Sequence, residues 1–193
     1  MTDPHALCKL YTPGTCAQAV VDALPIRAGE WVHEPHAGGG SFLRALENAD
    51  VRLTATDIAP DEGVTFRGGC VPEQADFLTW SPGETSPEWI IGNPPYTSAE
   101  AHIRHALVVS GRSVVFVLRL AMLEGVGRAA GLWAETPLRE VMVLAPRPSF
   151  TLNGRTDTKT AYAAFWWDKS WKIPPQVRWV RWSRRGGSND ANA

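Results

Sequence analysis

Cysteine is scarce in this chain of 193 residues. The three cysteines, Cys8, Cys16 and Cys70, are odd in number and form no CxxC pair. This pattern favours reduced thiols over a disulfide framework or a cysteine zinc site. No apolar run approaches the roughly 20 residues that a membrane-spanning helix needs, and the first residues show neither the basic nor the apolar segment of a secretory signal. We therefore expect a soluble, cytoplasmic protein that does not bind a membrane.

Metal-ligand patterns are also lacking. Four of the five histidines could suggest a metal site, namely His33, His36, His102 and His105. A zinc site built on them would need additional acidic or cysteine ligands close by. We interpret them as ordinary surface or core histidines and predict no bound metal.

Acidic residues are absent between positions 169 and 185, where six basic residues occur. Residues 1–168 contain 13 basic and 19 acidic residues, a net charge of −6. An acidic body with a basic end is typical of a protein whose terminal segment meets a polyanion. The tryptophans in this basic segment could stack on nucleic-acid bases or pack on the body of the protein, and the sequence leaves both open: Trp171, Trp179 and Trp182.

The remaining composition, 44% apolar and 20% charged, is that of an ordinary globular domain. Short apolar runs alternate with patterns of helical period, which predicts a doubly wound, mostly parallel α/β sheet. The last two strands are joined only by a polar loop, which predicts an antiparallel addition at one edge. We predict strands at 30–34, 51–57, 89–92, 113–118, 141–144 and 161–167, and helices at 13–24, 41–49, 97–109 and 121–134.

The predicted domain covers residues 1–168, followed by a basic extension at 169–193 whose last residues, 186–193, look disordered. Thr12 and Pro13 look like an N-cap and first helical residue. Thr97 and Glu100 have the spacing of a capping box.

The most informative stretch is Asn93-Pro94-Pro95-Tyr96, here called the NPPY turn (residues 93–96). An amino group conjugated to a ring or a carbonyl is a poor nucleophile until its lone pair is freed. The Asn93 side-chain oxygen and the Pro94 carbonyl can accept its two N–H protons. Pro95 stiffens the loop, and Tyr96 offers a flat face to a planar substrate. Preorganised acceptors of this kind stabilise developing positive charge.

A second candidate site is the glycine turn (residues 38–40), which lies between a predicted strand and a predicted helix. Such a turn lets a ligand approach the backbone closely. Glu34, just before it, suits a ligand with a cationic amino-acid end. Asp57 ends the next strand, where an acid can bind a ribose diol. Leu43 stands where a dinucleotide fingerprint has its third glycine, so an NAD site is disfavoured.

Asp76 and Phe77 form a third candidate. An acid followed by an aromatic residue can hydrogen-bond an adenine amino group and stack on its ring. By itself this pair carries little weight. Its place between Asp57 and Asn93 makes it informative.

This series of motifs resembles the S-adenosylmethionine-dependent amino-methyltransferases, and the DNA N6-adenine methyltransferases in particular, over residues 10–167. The NPPY turn matches their catalytic motif letter for letter. The resemblance implies a Rossmann-like class I fold with a seven-stranded, mostly parallel sheet and an antiparallel edge strand. It also implies S-adenosylmethionine as cofactor and the exocyclic N6 of adenine in DNA as methyl acceptor. N4 of cytosine is chemically possible, but the family usually has Ser at position 93 for that target.

The resemblance also assigns roles by position. The cofactor contacts it implies are Tyr11, Thr12, Glu34, Pro35, His36, Gly38, Gly40, Asp57, Ile58, Asp76, Phe77 and Asn93. Residues 147–157 resemble a loop of small phage and prophage members. There Phe150 would flank the extruded base opposite Tyr96, and the DNA contacts would come from Arg147, Arg155 and Lys159.

One departure concerns specificity. Members with defined target sites carry a separate recognition domain, and only 26 residues follow Trp167. The chain therefore predicts relaxed specificity, a very short site read by loops, or a protein partner that supplies recognition. Double- or single-stranded DNA, a monomer or dimer, and the host cytoplasm for a phage-encoded protein all stay open.

Other functions share the same turn. Enzymes that methylate the glutamine amide of release factors, and some that methylate ribosomal RNA adenine, also carry it, but the basic tail and the Phe150 loop favour DNA. A catalytically silent binding subunit is a further alternative. Decayed copies tend to lose Asn93 or the glycine turn, and both are intact here.

Overall fold

A mixed eight-stranded sheet organises the chain, in the order β10-β6-β9-β5-β4-β1-β2-β3. The computed structural model describes residues 11–61, 65–152, 155–157 and 159–184, with only the backbone for 151–152 and 155–157. Its strands are β1 Trp31–Glu34, β2 Arg52–Asp57, β3 Glu73–Gln74, β4 Trp89–Gly92, β5 Ser113–Arg119, β6 Leu138–Ala145, β7 Phe150–Leu152, β8 Arg155–Asp157, β9 Tyr162–Asp168 and β10 Gln176–Arg181. Its α-helices are α1 Gly14–Asp22, α2 Ser41–Leu46, α3 Ala99–Val109, α4 Val126–Ala130 and α5 Leu132–Glu135.

Two apolar clusters cover the faces of the sheet. Helices α1 and α2 pack on one face, around Val32, Trp89 and Val115. Helices α3 and α5 pack on the other face, around Ile90 and Phe116. Burial on both faces explains why β4 and β5 read as continuous apolar runs, as is usual for parallel strands.

The predicted α/β class and its parallel sheet are confirmed, and every predicted strand forms within a few residues of its predicted position. β1, β2, β4 and β5 are mutually parallel, and β9 runs antiparallel between β5 and β6. The antiparallel strand therefore lies inside the sheet and not at its edge, because β6 pairs with its other side. Strand β10 adds an eighth strand, parallel to β6, at the edge. The predicted polar loop at 146–160 contains the β7–β8 hairpin.

Part of the C-terminal segment is thus built into the sheet. Strand β10 pairs with β6 from Gln176 to Arg181, and Val180 is buried in the core. Arg178 forms an ion pair with Glu140 and donates to the carbonyl of Ala23 at 2.9 Å. Residues 186–193, which the sequence suggests are disordered, lie outside the described residues.

Two predicted helix starts were wrong in detail. No side chain caps α1, whose N-cap is Pro13 and not Thr12. No side chain caps α3 either, and it begins at Ala99 because residues 96–98 form a 3₁₀ turn that starts at the last residue of the NPPY turn. Glu100 forms an ion pair with Arg104 at 3.0 Å, so its carboxylate does not cap the helix.

The predicted helix over 121–134 is broken into three short pieces. A 3₁₀ turn at Leu120–Leu123 is followed by α4 and α5. Gly125 adopts φ +103°, a value that L side chains rarely tolerate, and so separates the first two pieces. None of the described helices is long and apolar enough to span a membrane.

Candidate active site

The candidate site residues lie at one edge of the sheet. The NPPY turn follows β4, the glycine turn follows β1, and Asp57 ends β2. These strands are parallel, so their carboxyl ends share this edge. The chain leaves β1 toward β2 on one side and returns to β4 on the other, which makes the gap between β1 and β4 a topological switch point. Open α/β sheets bind ligands at such a point.

Asp57 ties the glycine turn to the end of β2. One carboxylate oxygen accepts the Gly38 N–H at 2.8 Å, and the other accepts the Ala59 N–H at 2.8 Å. A carboxylate oxygen has two lone pairs, so each can still accept a further hydrogen bond. Ile58, the next residue, is 43% exposed and offers an open apolar face beside this carboxylate.

Two aromatic rings lie against the glycine turn. A Cβ atom on Gly39 would come within 2.9 Å of the Tyr11 ring, and one on Gly40 within 2.0 Å of the Phe66 ring. Gly40 also has φ +75°. Only glycine fits here without a shift of the backbone or of these rings. The structure thus brings Tyr11, itself 42% exposed, to the turn.

Glu34 is a buried acid at the end of β1, only 2% exposed. Burial raises the pKa of its carboxyl well above the usual value and the nearby Asp57 raises it further, while the Leu43 backbone N–H and Arg44 oppose this. Its Oε2 atom has no hydrogen-bond partner among the described residues. A buried oxygen of this kind is costly unless a ligand cation or donor satisfies it.

Thr12 and Pro35 line the same region. Thr12 is buried, and its carbonyl accepts a hydrogen bond of 2.6 Å from the Ser41 hydroxyl at the start of α2. This bond fixes the segment before α1 to the helix that follows the glycine turn. Pro35 is buried beside β4, 3.4 Å from the position of a Cβ on Gly92.

The four histidines belong to one cluster of aromatic rings near the switch point. His36 and His102 have ring centroids 4.9 Å apart, and His33 stacks on Trp80 at 4.0 Å. Burial lowers the pKa of His33 to about 3 and that of His36 well below its usual value. The rings of His33 and His36 are therefore neutral aromatic groups at ordinary pH. The described residues contain no cluster of His, Cys, Asp or Glu arranged to hold a metal ion.

Phe77 completes this cluster, because its ring lies 5.5 Å from His36 and 4.9 Å from His105. It is 3% exposed and supports the site from inside. Asp76 is exposed, and its Oδ1 accepts the Leu78 N–H at 2.9 Å. The pair therefore presents an acid at the surface and an aromatic residue in the core.

The NPPY turn leaves β4 and enters the 3₁₀ turn at Tyr96–Ser98. Pro94 is buried, Pro95 is exposed, and the Asn93 side-chain oxygen is shielded from solvent. Burial, and then the neighbouring Tyr162, raises the pKa of Tyr96, so the phenol is neutral. Gly92 packs closely on His36, since a Cβ atom at this position would lie 3.3 Å from the Nδ1 atom of that ring.

Tyr162 lies close to both Tyr96 and Phe150. Its ring centroid is 5.7 Å from that of Tyr96 and 4.4 Å from that of Phe150, and Phe150 is fully buried. Phe150 therefore supports Tyr162 from the core, and its place beside a target base stays a prediction. The Arg119 guanidinium lies 5.0 Å from the Tyr96 ring centroid.

The structure describes the side chains of two of the three predicted DNA-contact residues. Arg147 and Lys159 are exposed, and Arg147 donates to the Lys159 carbonyl at 3.2 Å. The side chain of Arg155 lies outside the described part of the chain.

Sequence reasoning missed three residues beside the site: Phe66, Arg119 and Tyr162. Arg119 and Tyr162 could have been found from the sequence. Arg119 is a charged residue at the end of one apolar strand, and Tyr162 begins another. Both positions fall at the carboxyl edge. Phe66 could not have been found in this way, since residues 58–88 have no clear periodicity.

No family model and no curated protein matches the chain. Solved structures do match. The M protein of the type I restriction enzyme EcoKI aligns with a TM-score of 0.63 at 14% identity, over 91% of this chain and 49% of that one. A predicted O-methyltransferase from Agrobacterium tumefaciens aligns with a TM-score of 0.58 at 16% identity, over 92% and 90%. The 23S rRNA methyltransferase ErmE aligns with a TM-score of 0.57 at 19% identity, over 86% and 70%.

These likenesses show the fold, which is the Rossmann-like class I methyltransferase fold. At such identities they do not show the reaction. The matched proteins carry different substrates in their names, so the reaction has to be argued from the residues at the carboxyl edge.

Proposed function

We propose that this protein transfers the methyl group of S-adenosylmethionine to the exocyclic N6 amino group of adenine in DNA. The observation that carries the proposal is the position of the NPPY turn. It leaves β4 across the switch point from the glycine turn, which lies beside Asp57. The proposed amino-group site and the proposed nucleoside-binding site would thus be adjacent.

The residues around the glycine turn fit the cofactor. The buried and unpaired Oε2 of Glu34 suits its amino-acid end, and the Asp57 carboxylate suits its ribose diol. Ile58, the residue after Asp57, and Asp76 are both exposed and would hold the adenine. When bound, the cofactor supplies an electrophilic methyl on a sulfonium, so neither a metal nor a covalent enzyme intermediate is required.

The NPPY turn would bind the acceptor amine. The Asn93 side-chain oxygen and the Pro94 carbonyl would accept its two protons and thereby localise its lone pair. Tyr96 would stack on the target base after the base has left the helix or entered from a single strand. Holding the nitrogen in line with the methyl group is the main catalytic contribution, and the proton is then lost to water.

DNA is favoured as the substrate by charge. Arg147, Lys159 and Arg119 are exposed at the carboxyl edge, and an exposed positive surface binds phosphates. Two of the solved structures with this fold come from type I restriction–modification systems. Ribosomal RNA is the second candidate substrate, since ErmE is similar in fold.

The test uses tritiated cofactor with purified protein and four substrates: duplex DNA, single-stranded DNA, RNA and a release factor. We expect label in DNA and N6-methyladenine on digestion. The Asn93→Ala variant should lose roughly 100-fold or more of turnover while cofactor affinity, measured by calorimetry, stays within about twofold. Full turnover in this variant would remove the NPPY turn from the mechanism.

The matched variant is Asp57→Asn, at the other side of the switch point. It should weaken cofactor affinity while turnover at saturating cofactor persists. An unchanged affinity would remove Asp57 from its assigned role. If label appeared in RNA alone, RNA and not DNA would be the substrate.

A further inference from the structure

The tertiary structure separates the basic residues of the C-terminal segment. Strand β10 runs parallel to β6, and both run parallel to β5 because β9 lies antiparallel between them. Arg181 and Arg184 therefore fall at the carboxyl edge, the edge of the NPPY turn. Lys169 and Lys172 lie between the end of β9 and the start of β10, at the opposite edge.

Hydrogen bonds join the segments at the carboxyl edge. Arg184 donates to the Arg147 carbonyl at 3.2 Å, and Arg147 donates to the Lys159 carbonyl at 3.2 Å. The Trp182 indole N–H donates to the Pro146 carbonyl at 2.6 Å. The result is a basic surface, defined here as Arg147, Arg181 and Arg184.

Among the residues that the structure describes, no ion pair involves this surface. All three side chains are exposed. The ion pairs between described residues involve other basic residues, Arg104, Arg112, Arg139 and Arg178. The hydrogen bonds of Arg147 and Arg184 are made to neutral carbonyls, which leave the full positive charge available to an anion.

Three acidic residues of the candidate cofactor site lie on the other half of the sheet. Glu34 ends β1, Asp57 ends β2 and Asp76 follows β3. Acidic residues thus lie beside the glycine turn, and the basic surface lies beyond β5. The boundary falls at the NPPY turn, where Arg119 ends β5 and lies over the Tyr96 ring.

We propose that the basic surface, together with Arg119, binds the phosphates of the DNA strand that carries the target base. The C-terminal strand β10 thereby supplies part of the substrate site. This inference rests on the proposed function for the identity of the polyanion. Phosphate contacts position a strand without reading its sequence, which fits a chain that has no separate recognition domain in the segments described.

The test measures binding of the holo-protein to a fluorescent 20-base-pair duplex and to its single strand, by anisotropy, between 50 and 200 mM salt. The triple variant Arg147→Ala/Arg181→Ala/Arg184→Ala removes three cations. Each lost phosphate contact should lower the slope of log affinity against log salt by about 0.9 on duplex and about 0.7 on single strands. The triple variant should therefore lose roughly 2 to 3 slope units on duplex.

The matched control is Lys172→Ala, which removes an exposed tail cation from the opposite edge and should keep the wild-type slope. Arg184→Lys keeps the charge and should also keep it, which separates a charge effect from a change in folding. An unchanged slope in the triple variant, or an equal loss in Lys172→Ala, would overturn the inference.

The assay does not depend on catalysis. Asn93→Ala should bind DNA with the wild-type slope even though it fails to transfer methyl groups. If no substrate accepts a methyl group but the triple variant still loses slope, the proposed function fails and the DNA-binding surface stands.

Discussion

Gly40 offers a direct test of how the glycine turn is packed. A Cβ atom at this position would lie 2.0 Å from Cζ and 2.3 Å from Cε1 of the Phe66 ring, and the residue has φ +75°. Gly40→Ala therefore combines two costs. An alanine in the left-handed region costs roughly 1–2 kcal/mol, and overpacking against a buried ring costs roughly 1–3 kcal/mol. The free energy of unfolding should fall by about 2–5 kcal/mol.

Gly29→Ala is the matched control. Gly29 has φ +80° but has no atom within 4 Å of its Cβ position, so this variant carries only the backbone cost, roughly 1–2 kcal/mol. Urea denaturation followed by circular dichroism measures both variants. Equal losses in Gly29→Ala and Gly40→Ala would refute the packing argument.

A double-mutant cycle isolates the contact itself. Phe66→Leu removes the ring atoms nearest to the new methyl group, so it should recover about 1–2 kcal/mol in the Gly40→Ala background. Gly40→Ala should also weaken cofactor binding, because the turn must shift, whereas Gly29→Ala should not. A coupling energy near zero would show that Phe66 does not restrict the turn.

Two further predictions concern pH. His33 is fully buried with its pKa lowered to about 3, so below its unfolded pKa, near 6.5, the unfolded state binds the proton more strongly. The free energy of unfolding should therefore decrease as pH is lowered, by about 2 kcal/mol at pH 5 for this residue alone. In denaturation experiments, the loss between pH 7.5 and pH 5 should be smaller by that amount in His33→Gln than in the wild type. An identical pH dependence in the variant would contradict the buried neutral ring. Glu34 has its pKa raised by burial, so its contribution is lost as pH rises from its ordinary pKa toward the raised one. Glu34→Gln should gain stability relative to wild type as pH rises, yet bind cofactor more weakly. A variant that binds cofactor as tightly as wild type would exclude Glu34 from the cofactor site.

Much of the candidate site could be located from short sequence patterns. Glu34, Asp57 and Asn93 each stand at or just after the end of an apolar strand. Parallel strands place such residues at one edge, so a correct prediction of strand order brings them together. The roles given to them by resemblance stay predictions until the binding and transfer assays are done.

The sequence was less informative wherever distant segments meet. Phe150 was expected to flank the target base opposite Tyr96, and its ring is buried against Tyr162 in the core. Phe66 comes from a stretch without periodicity and still covers Gly40. Neither contact has a local signature, because each depends on how separate segments fold back onto the sheet.

The charge pattern of the tail shows the same division. Local composition determined that the last part of the chain is basic and contains tryptophan. The pairing and direction of β10 decided that Arg181 and Arg184 lie at the same edge of the sheet as the NPPY turn, while Lys172 lies at the opposite edge. Composition and periodicity record which residues are neighbours along the chain. Strand order and direction, set by long-range backbone pairing and core packing, decide which of them share a surface.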